Sequence, residues 1–307
     1  MVGARKKRKL KEISTMILVT GASGNVGSHV VRQLLEEGEK VRVITRHPSG
    51  QAFPDQVEVA TGDLTQPQTL REALSGIERA LFPVLQGVDG FLDVAKRAGL
   101  RHVVMLSSIS VTWSVPGWVG EAHLRLERSV QASGLPWTFV RPDGFTTNDL
   151  VWASQIIDGD VVRGRYGDAA TAPVDPRDIA AVAVRSLLDG RAGEGYPVTG
   201  PQSLTQIDRL RIIAESIGRP LRWQEQSEDW LRDEMARLGM PAQGIDDYVD
   251  ALTARVGKTA EVLPTVEQVT GRPPFTYAQW VADHTAAFGT ASRKRSSQAT
   301  LPPAATR

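Results

Sequence analysis

The chain has 307 residues, is 41% hydrophobic and carries a formal net charge of +1, so it can bury a sizeable core as one large or two modest domains. It contains no cysteine, which excludes disulfides, thiolate metal sites, cysteine nucleophiles and iron–sulfur clusters. Its five histidines show no paired metal-ligand spacing, and no apolar run is long enough for a membrane helix, so the cytoplasm is the expected compartment.

Residues 1–15 hold six basic side chains (Arg5, Lys6, Lys7, Arg8, Lys9, Lys11) against Glu12, and 290–307 hold Arg293, Lys294, Arg295 and Arg307 against no acid. The body between them is therefore acidic, which argues against a nucleic-acid-binding face on the folded part. Both ends read as disordered extensions, although the leader would also suit a nucleic-acid arm or a targeting patch.

Residues 16–27, Met-Ile-Leu-Val-Thr-Gly-Ala-Ser-Gly-Asn-Val-Gly, run from an apolar strand into glycines at 21, 24 and 27 and then a helix from about Asn25 to Glu37. Gly21 permits the sharp turn, Gly24 lets backbone approach a phosphate, and Gly27 lets the helix pack on the strand. The helix N-terminus then faces the anion. Ser23, Asn25 and Val26 complete this candidate cradle for a dinucleotide. Lys40–Thr45 reads as the second strand, closing a β-α-β unit. Arg46 follows it, where an NAD-preferring site carries a carboxylate for the ribose 2′-hydroxyl. A guanidinium there pairs with a 2′-phosphate, so NADP(H) is expected over NAD(H), with His47 as a helper; the alternative is a solvated loop arginine. Asp63 and Leu64 follow the third strand, where Asp63 either accepts from adenine or caps a turn.

Further along, strands at 57–60, 80–84, 102–106 and 137–140 alternate with helices at 67–74, 88–98 and 119–132. The pattern implies an α/β fold with a doubly wound parallel Rossmann sheet. Helical segments at 145–157, 178–188, 204–217, 228–238, 244–256 and 277–288, with a short strand at 196–199, add a smaller, mostly helical C-terminal lobe over the carboxyl edge. The expected division is a nucleotide domain of 16–142 plus 175–200 and a substrate lobe of 143–174 plus 201–289.

Together, Val19–Gly27, Gly62-Asp-Leu64, Leu106-Ser-Ser108, His123 with Glu127, Ser133–Pro142 with Phe145 and Asn148, Val174–Ala180 and Thr199-Gly-Pro201 resemble the NmrA-like branch of the atypical short-chain dehydrogenase/reductases. The resemblance spans about residues 16–289. It implies binding of NAD(P)(H) in a group that includes quinone- and isoflavone-type reductases, redox-sensing regulators without turnover and secondary-metabolite enzymes.

The chain departs from the short-chain pattern at the catalytic helix. The Tyr-x-x-x-Lys pair is replaced by Val119-Gly-Glu-Ala-His123, and valine cannot transfer a proton. His123, at the lysine's place, can still bond a ribose hydroxyl, with Glu127 one turn on to orient it; a surface His–Glu pair is the bland alternative. Ser107 and Ser108 either line the nicotinamide pocket or cap the strand end. His123, Ser107 and Ser108 are thus the catalytic candidates. Thr112, Trp113, Phe145 and Asn148 are the candidates for the substrate pocket, with Glu121, Trp118 and Trp152 as supplementary residues. The expected activity is NADPH hydride transfer to a quinone-like or unsaturated carbonyl small molecule. The alternatives are a non-catalytic NADP(H) sensor that binds a protein partner, or a non-redox coupling or cyclising enzyme. Oligomeric state is not legible.

Overall fold

The computed structural model describes residues 16–46, 53–83 and 88–289; the leader, His47 and the tail lie outside them. In β1 (Met16–Thr20) Ile17, Leu18 and Val19 are fully buried, the mark of a strand covered on both faces. The chain turns through 21–26 into α1 (Gly27–Glu36) and returns as β2 (Lys40–Thr45), parallel to β1 with Ile17 opposite Val41 and Val19 opposite Val43. β3 (Glu58–Thr61), β4 (Ile77–Phe82), α2 (Val88–Arg97), β5 (His102–Leu106), α3 (Gly117–Ala132) and β6 (Trp137–Pro142) continue the alternation.

The helix expected at 67–74 is not formed. Only a 3₁₀ turn, Pro67–Thr69, is present. The Thr69 hydroxyl donates to the Gln66 carbonyl (2.7 Å) and accepts from the Asp63 N–H (3.0 Å), closing a compact turn in place of a helical ladder. Likewise the helix expected at 145–157 is a 3₁₀ segment, Thr146–Trp152, followed by the short α4 (Ala153–Asp158).

Beyond lie β7 (Val161–Gly164), β8 (Ala170–Thr171), α5 (Pro176–Asp189), β9 (Glu194–Val198), β10 (Leu204–Thr205), α6 (Gln206–Ile217), β11 (Arg222–Glu225), α7 (Glu228–Arg237), α8 (Ala242–Thr253), α9 (Thr265–Thr270) and α10 (Tyr277–His284). Asp175 caps α5 by accepting from the Arg177 N–H (2.8 Å), with Pro176 at the first helical position. The principal sheet is parallel throughout, in the order β3-β2-β1-β4-β5-β6-β9. This is the doubly wound arrangement, with its reversal of strand order between β1 and β4. Two small sheets, β8 with β10 and β7 with β11, stiffen the lobe.

Val30, Val31 and Leu34 of α1 and Ile179, Val182 and Leu187 of α5 cover one sheet face, joined by Val266 and Val269 of α9. Phe91 and Leu92 of α2 and Val130 of α3 cover the other. The lobe has separate cores. One gathers Trp152, Leu210, Ile213, Tyr277 and Trp280, the other Leu231, Ile245, Val249 and Leu252. No helix among the described residues is long and apolar enough to cross a membrane.

Candidate active site

The turn after β1 has the backbone geometry expected of Gly21 and Gly27. Gly21 has φ +64°, a conformation that L side chains rarely adopt. A Cβ on Gly27 would stand 2.1 Å from the Gly21 carbonyl oxygen and 2.9 Å from the Ala22 Cα, so only glycine lets α1 start this close to β1. A Cβ on Gly24 would press on the Gly21 carbonyl oxygen at 3.3 Å and meet nothing else within 4 Å. No side chain caps α1; the Ser28 N–H donates to the Gly24 carbonyl (3.1 Å), and the positive end of the helix faces the glycine turn, where an anion such as a pyrophosphate would meet it. The cradle therefore fits a dinucleotide. Ser23, Gly24 and Asn25 are exposed and Val26 is buried beneath them. The Asn25 amide donates to the Thr147 hydroxyl (3.3 Å), tying the turn to the lobe.

Arg46 is exposed just past the end of β2. Asp63 lies at the same corner, because the Arg46 charge contributes to holding its carboxyl below the usual range. The larger causes are the Thr65 N–H (2.9 Å) and hydroxyl (2.7 Å), both donating to Asp63 Oδ1. That carboxylate thus shapes its own turn, and Leu64 is buried beside it.

At the ends of β5 and β6 the structure builds a buried network absent from the sequence reading. Glu127 of α3, 3% exposed, accepts from Arg141 Nε (2.9 Å) and Nη2 (2.7 Å) and from the Ser107 hydroxyl (2.6 Å). Its hydrogen bonds go to those two residues and not to His123, correcting the expectation that Glu127 orients that imidazole. A bidentate guanidinium outcompetes a helical neighbour. Ser107 is accordingly held by Glu127, while Ser108 caps the 3₁₀ turn Ile109–Thr112 by accepting from the Ser110 N–H (3.2 Å).

His123 is half-buried, and its Nδ1, itself buried, has no partner among the described residues. Burial lowers its pKa against the opposing pull of Glu127, so the ring is neutral at pH 7. Because Nδ1 is enclosed, a ribose hydroxyl in the cleft would have to be met by the other ring nitrogen.

These residues open on a cleft of about 1140 Å³ between the carboxyl edge of the sheet and the lobe. Ser107, Ser108, Trp113, Trp118, His123, Phe145, Asn148 and Trp152 line it, as does Val119, whose side chain is exposed. Thr112 does not: its hydroxyl donates to the Ile109 carbonyl (2.7 Å). Glu121 is exposed away from the cleft as well. Pro83, which packs 3.1 Å from where a Gly21 Cβ would be, belongs to the wall, so the cleft reaches the glycine turn.

The lobe contributes residues that the sequence did not single out. Asp149, fully enclosed, accepts from Arg209 Nη1 (2.6 Å) and from the Tyr277 hydroxyl (2.6 Å). Burial nonetheless pushes its carboxyl up, and Arg209 pulls it back. The Arg255 guanidinium lies 4.9 Å from the Trp113 ring centre, and Tyr248 of α8 also faces the cleft. Asp149 lies 60 positions from Arg209 and 128 from Tyr277, separations at which no periodicity signals a partnership.

Residues 21–190, more than half of the chain, match a family model described as NAD(P)H-binding. A (4-alkanoyl-5-oxo-2,5-dihydrofuran-3-yl)methyl phosphate reductase of Streptomyces griseus is 37% identical over 89% of this chain and 99% of its own length. An NAD(P)H azoreductase of Xenophilus azovorans is 34% identical over 90% of this chain and all of its own. The solved structure of an NADPH-dependent quinone oxidoreductase from Escherichia coli in complex with NADPH superposes with a TM-score of 0.75 at 24% identity, covering 88% of this chain and 99% of that one. With the glycine cradle, the parallel sheet and these likenesses in place, the chain belongs to the NAD(P)H-binding, NmrA-like oxidoreductases.

Proposed function

We propose that the chain uses NADPH to reduce a planar quinone-like or α,β-unsaturated carbonyl compound in the cleft above β5 and β6. The observation that carries this reading is the pairing of an aromatic-walled cleft with valine at position 119. Trp113, Trp118, Phe145 and Trp152 offer flat apolar faces to a conjugated ring. Reduction of an ordinary ketone by the short-chain route needs a phenol at position 119, whereas an electron-poor conjugated system accepts hydride with a weaker demand for acid at that place. The name of one relative supports this class, a dihydrofuranone whose ring alkene is conjugated with carbonyl groups, and another is named as an azoreductase, which also acts on a conjugated acceptor.

When bound, the nicotinamide supplies hydride. The glycine turn and the α1 N-terminus would hold the pyrophosphate, Arg46 would pair with the 2′-phosphate, Asp63 and Leu64 would border the adenine, and His123 would bond the nicotinamide ribose. Ser107 and Ser108 would border the nicotinamide and Phe145 and Asn148 the substrate, and residues 143–174 and 201–289, apart from α9 on the sheet face, form the substrate lobe. The test is loss of NADPH absorbance across a panel of quinones and enones. Sustained consumption with at least one acceptor is expected; tight NADPH binding with no turnover on any would overturn the reading in favour of a nucleotide sensor.

A further inference from the structure

The chain has four tyrosines, all among the described residues, and only Tyr248 lines the cleft. The Tyr166 hydroxyl is engaged by Glu228 (2.9 Å), Tyr277 by Asp149 (2.6 Å), and Tyr196 sits in β9 beside Arg191 and Glu194.

Tyr248 is carried to the catalytic helix by a specific docking of α8 on α3. Asp247 Oδ2 accepts from the Trp118 N–H, one residue before Val119. A Cβ on Gly244 would lie 3.5 Å from the Trp118 ring, and one on Gly117 would lie 3.4 Å from the Asp247 Cβ. Gly244, Asp247 and Tyr248 are spaced to share one side of α8, so the contact that seats Asp247 on α3 also turns Tyr248 toward the cleft that Val119 faces. The residue is 38% exposed, and its hydroxyl has no hydrogen-bond partner among the described residues.

We propose that Tyr248 is the proton donor for the reduction, supplied by the lobe in place of the phenol missing at position 119. The proposal rests on the reductase reading above. Hydride forms a bond to the electron-poor atom of the acceptor, and the displaced electron pair moves onto the conjugated carbonyl oxygen. The Tyr248 O–H bond breaks and its proton goes to that oxygen or to the adjacent carbon. The phenolate then regains a proton from water in the open cleft. One acceptor, one NADPH and one proton thus give the reduced product and NADP⁺. The phenol is protonated at neutral pH; enclosure by the cleft walls raises its pKa, and the charges of Arg209 and Arg255 oppose that rise by favouring the phenolate while Asp149 adds to it.

The experiment compares Tyr248→Phe with the wild-type chain on the quinone or enone that the wild type reduces best. NADPH affinity is read by nucleotide fluorescence, stability by thermal melting, and kcat in water and in deuterium oxide. Because the substitution removes only a hydroxyl with no bonded partner, NADPH affinity and melting temperature should hold. The proposal expects kcat to fall about 100-fold with KM little changed and the solvent isotope effect on kcat to change. A kcat within about twofold of wild type, or a rise in KM alone, overturns the proton-donor role and leaves the reductase reading standing. If the wild type turns over no acceptor, the reductase reading fails, and the donor role with it.

Discussion

At Gly27 a single methyl group decides whether the strand and helix of the nucleotide site can meet. An alanine there would push its Cβ into the backbone of Gly21 and Ala22, atoms that no rotamer change can move. Gly27→Ala is expected to cost about 3 kcal/mol or more in urea unfolding and to abolish NADPH binding. Gly24→Ala separates the two roles. Its Cβ would press only on the Gly21 oxygen, so stability should fall by no more than about 1 kcal/mol while NADPH binding weakens at least tenfold, as measured by fluorescence titration. Arg46→Glu replaces a charge-assisted pair by a repulsion and should weaken NADPH binding by about 2 kcal/mol while sparing NADH. Equal losses for both nucleotides would contradict the 2′-phosphate assignment. The glycine roles were legible because each is a local backbone requirement. Tyr248 and Arg209 were not, because their function depends on a neighbour that only the folded lobe supplies.

Among the elements, α3 shows where helical spacing misleads. His123 and Glu127 stand one turn apart, yet Glu127 turns inward to Arg141 of β6 and Ser107 at the end of β5. An almost fully buried carboxylate with a bidentate guanidinium pins the helix to two strands. Glu127→Ala leaves Arg141 without its counter-charge and should cost about 3 kcal/mol by urea unfolding; a cost below about 1 kcal/mol would show that water replaces the pair. Strands with continuous apolar runs, such as β1 and β5, stand where the sequence places them. The two-residue strands β8 and β10 are too short to have a period, and the helix read at 67–74 yields to side-chain bonds from Thr69 that no hydrophobic pattern encodes. α9 likewise escaped the reading, although its Val266 and Val269 complete the sheet face beside α5.

Taken whole, the fold opposes protonation of its enclosed histidines. The Thr138 hydroxyl donates to the Arg191 carbonyl, so His102 Nε2 donates to Thr138 (2.9 Å) and its buried Nδ1 is left unprotonated and unpartnered. Burial, and then Arg79, lower its pKa; burial also lowers those of His29 and His123. As pH falls below about 6.5, the unfolded chain therefore takes up these protons before the native state does. Stability is full above that value and is lost as pH falls toward the lowered native values. Asp178 works in the opposite sense. Burial pushes it up to about 6 despite Arg272 and the Phe275 N–H, so its protonation restores stability at lower pH. His102→Gln should consequently flatten the decline in melting temperature as pH falls below about 6.5; an unchanged slope would assign the proton uptake elsewhere.

The sequence by itself determined the β-α-β nucleotide unit, the parallel sheet and the loss of the short-chain tyrosine. These depend on glycine conformations, apolar periodicity and residue identity within a few turns of chain. Tertiary structure alone decided which groups meet above the sheet: Glu127 with Arg141, Asp149 with Arg209 and Tyr277, and Tyr248 set beside α3. Those contacts join residues far apart in the chain, and burial is what gives them their strength; neither is written in any local pattern.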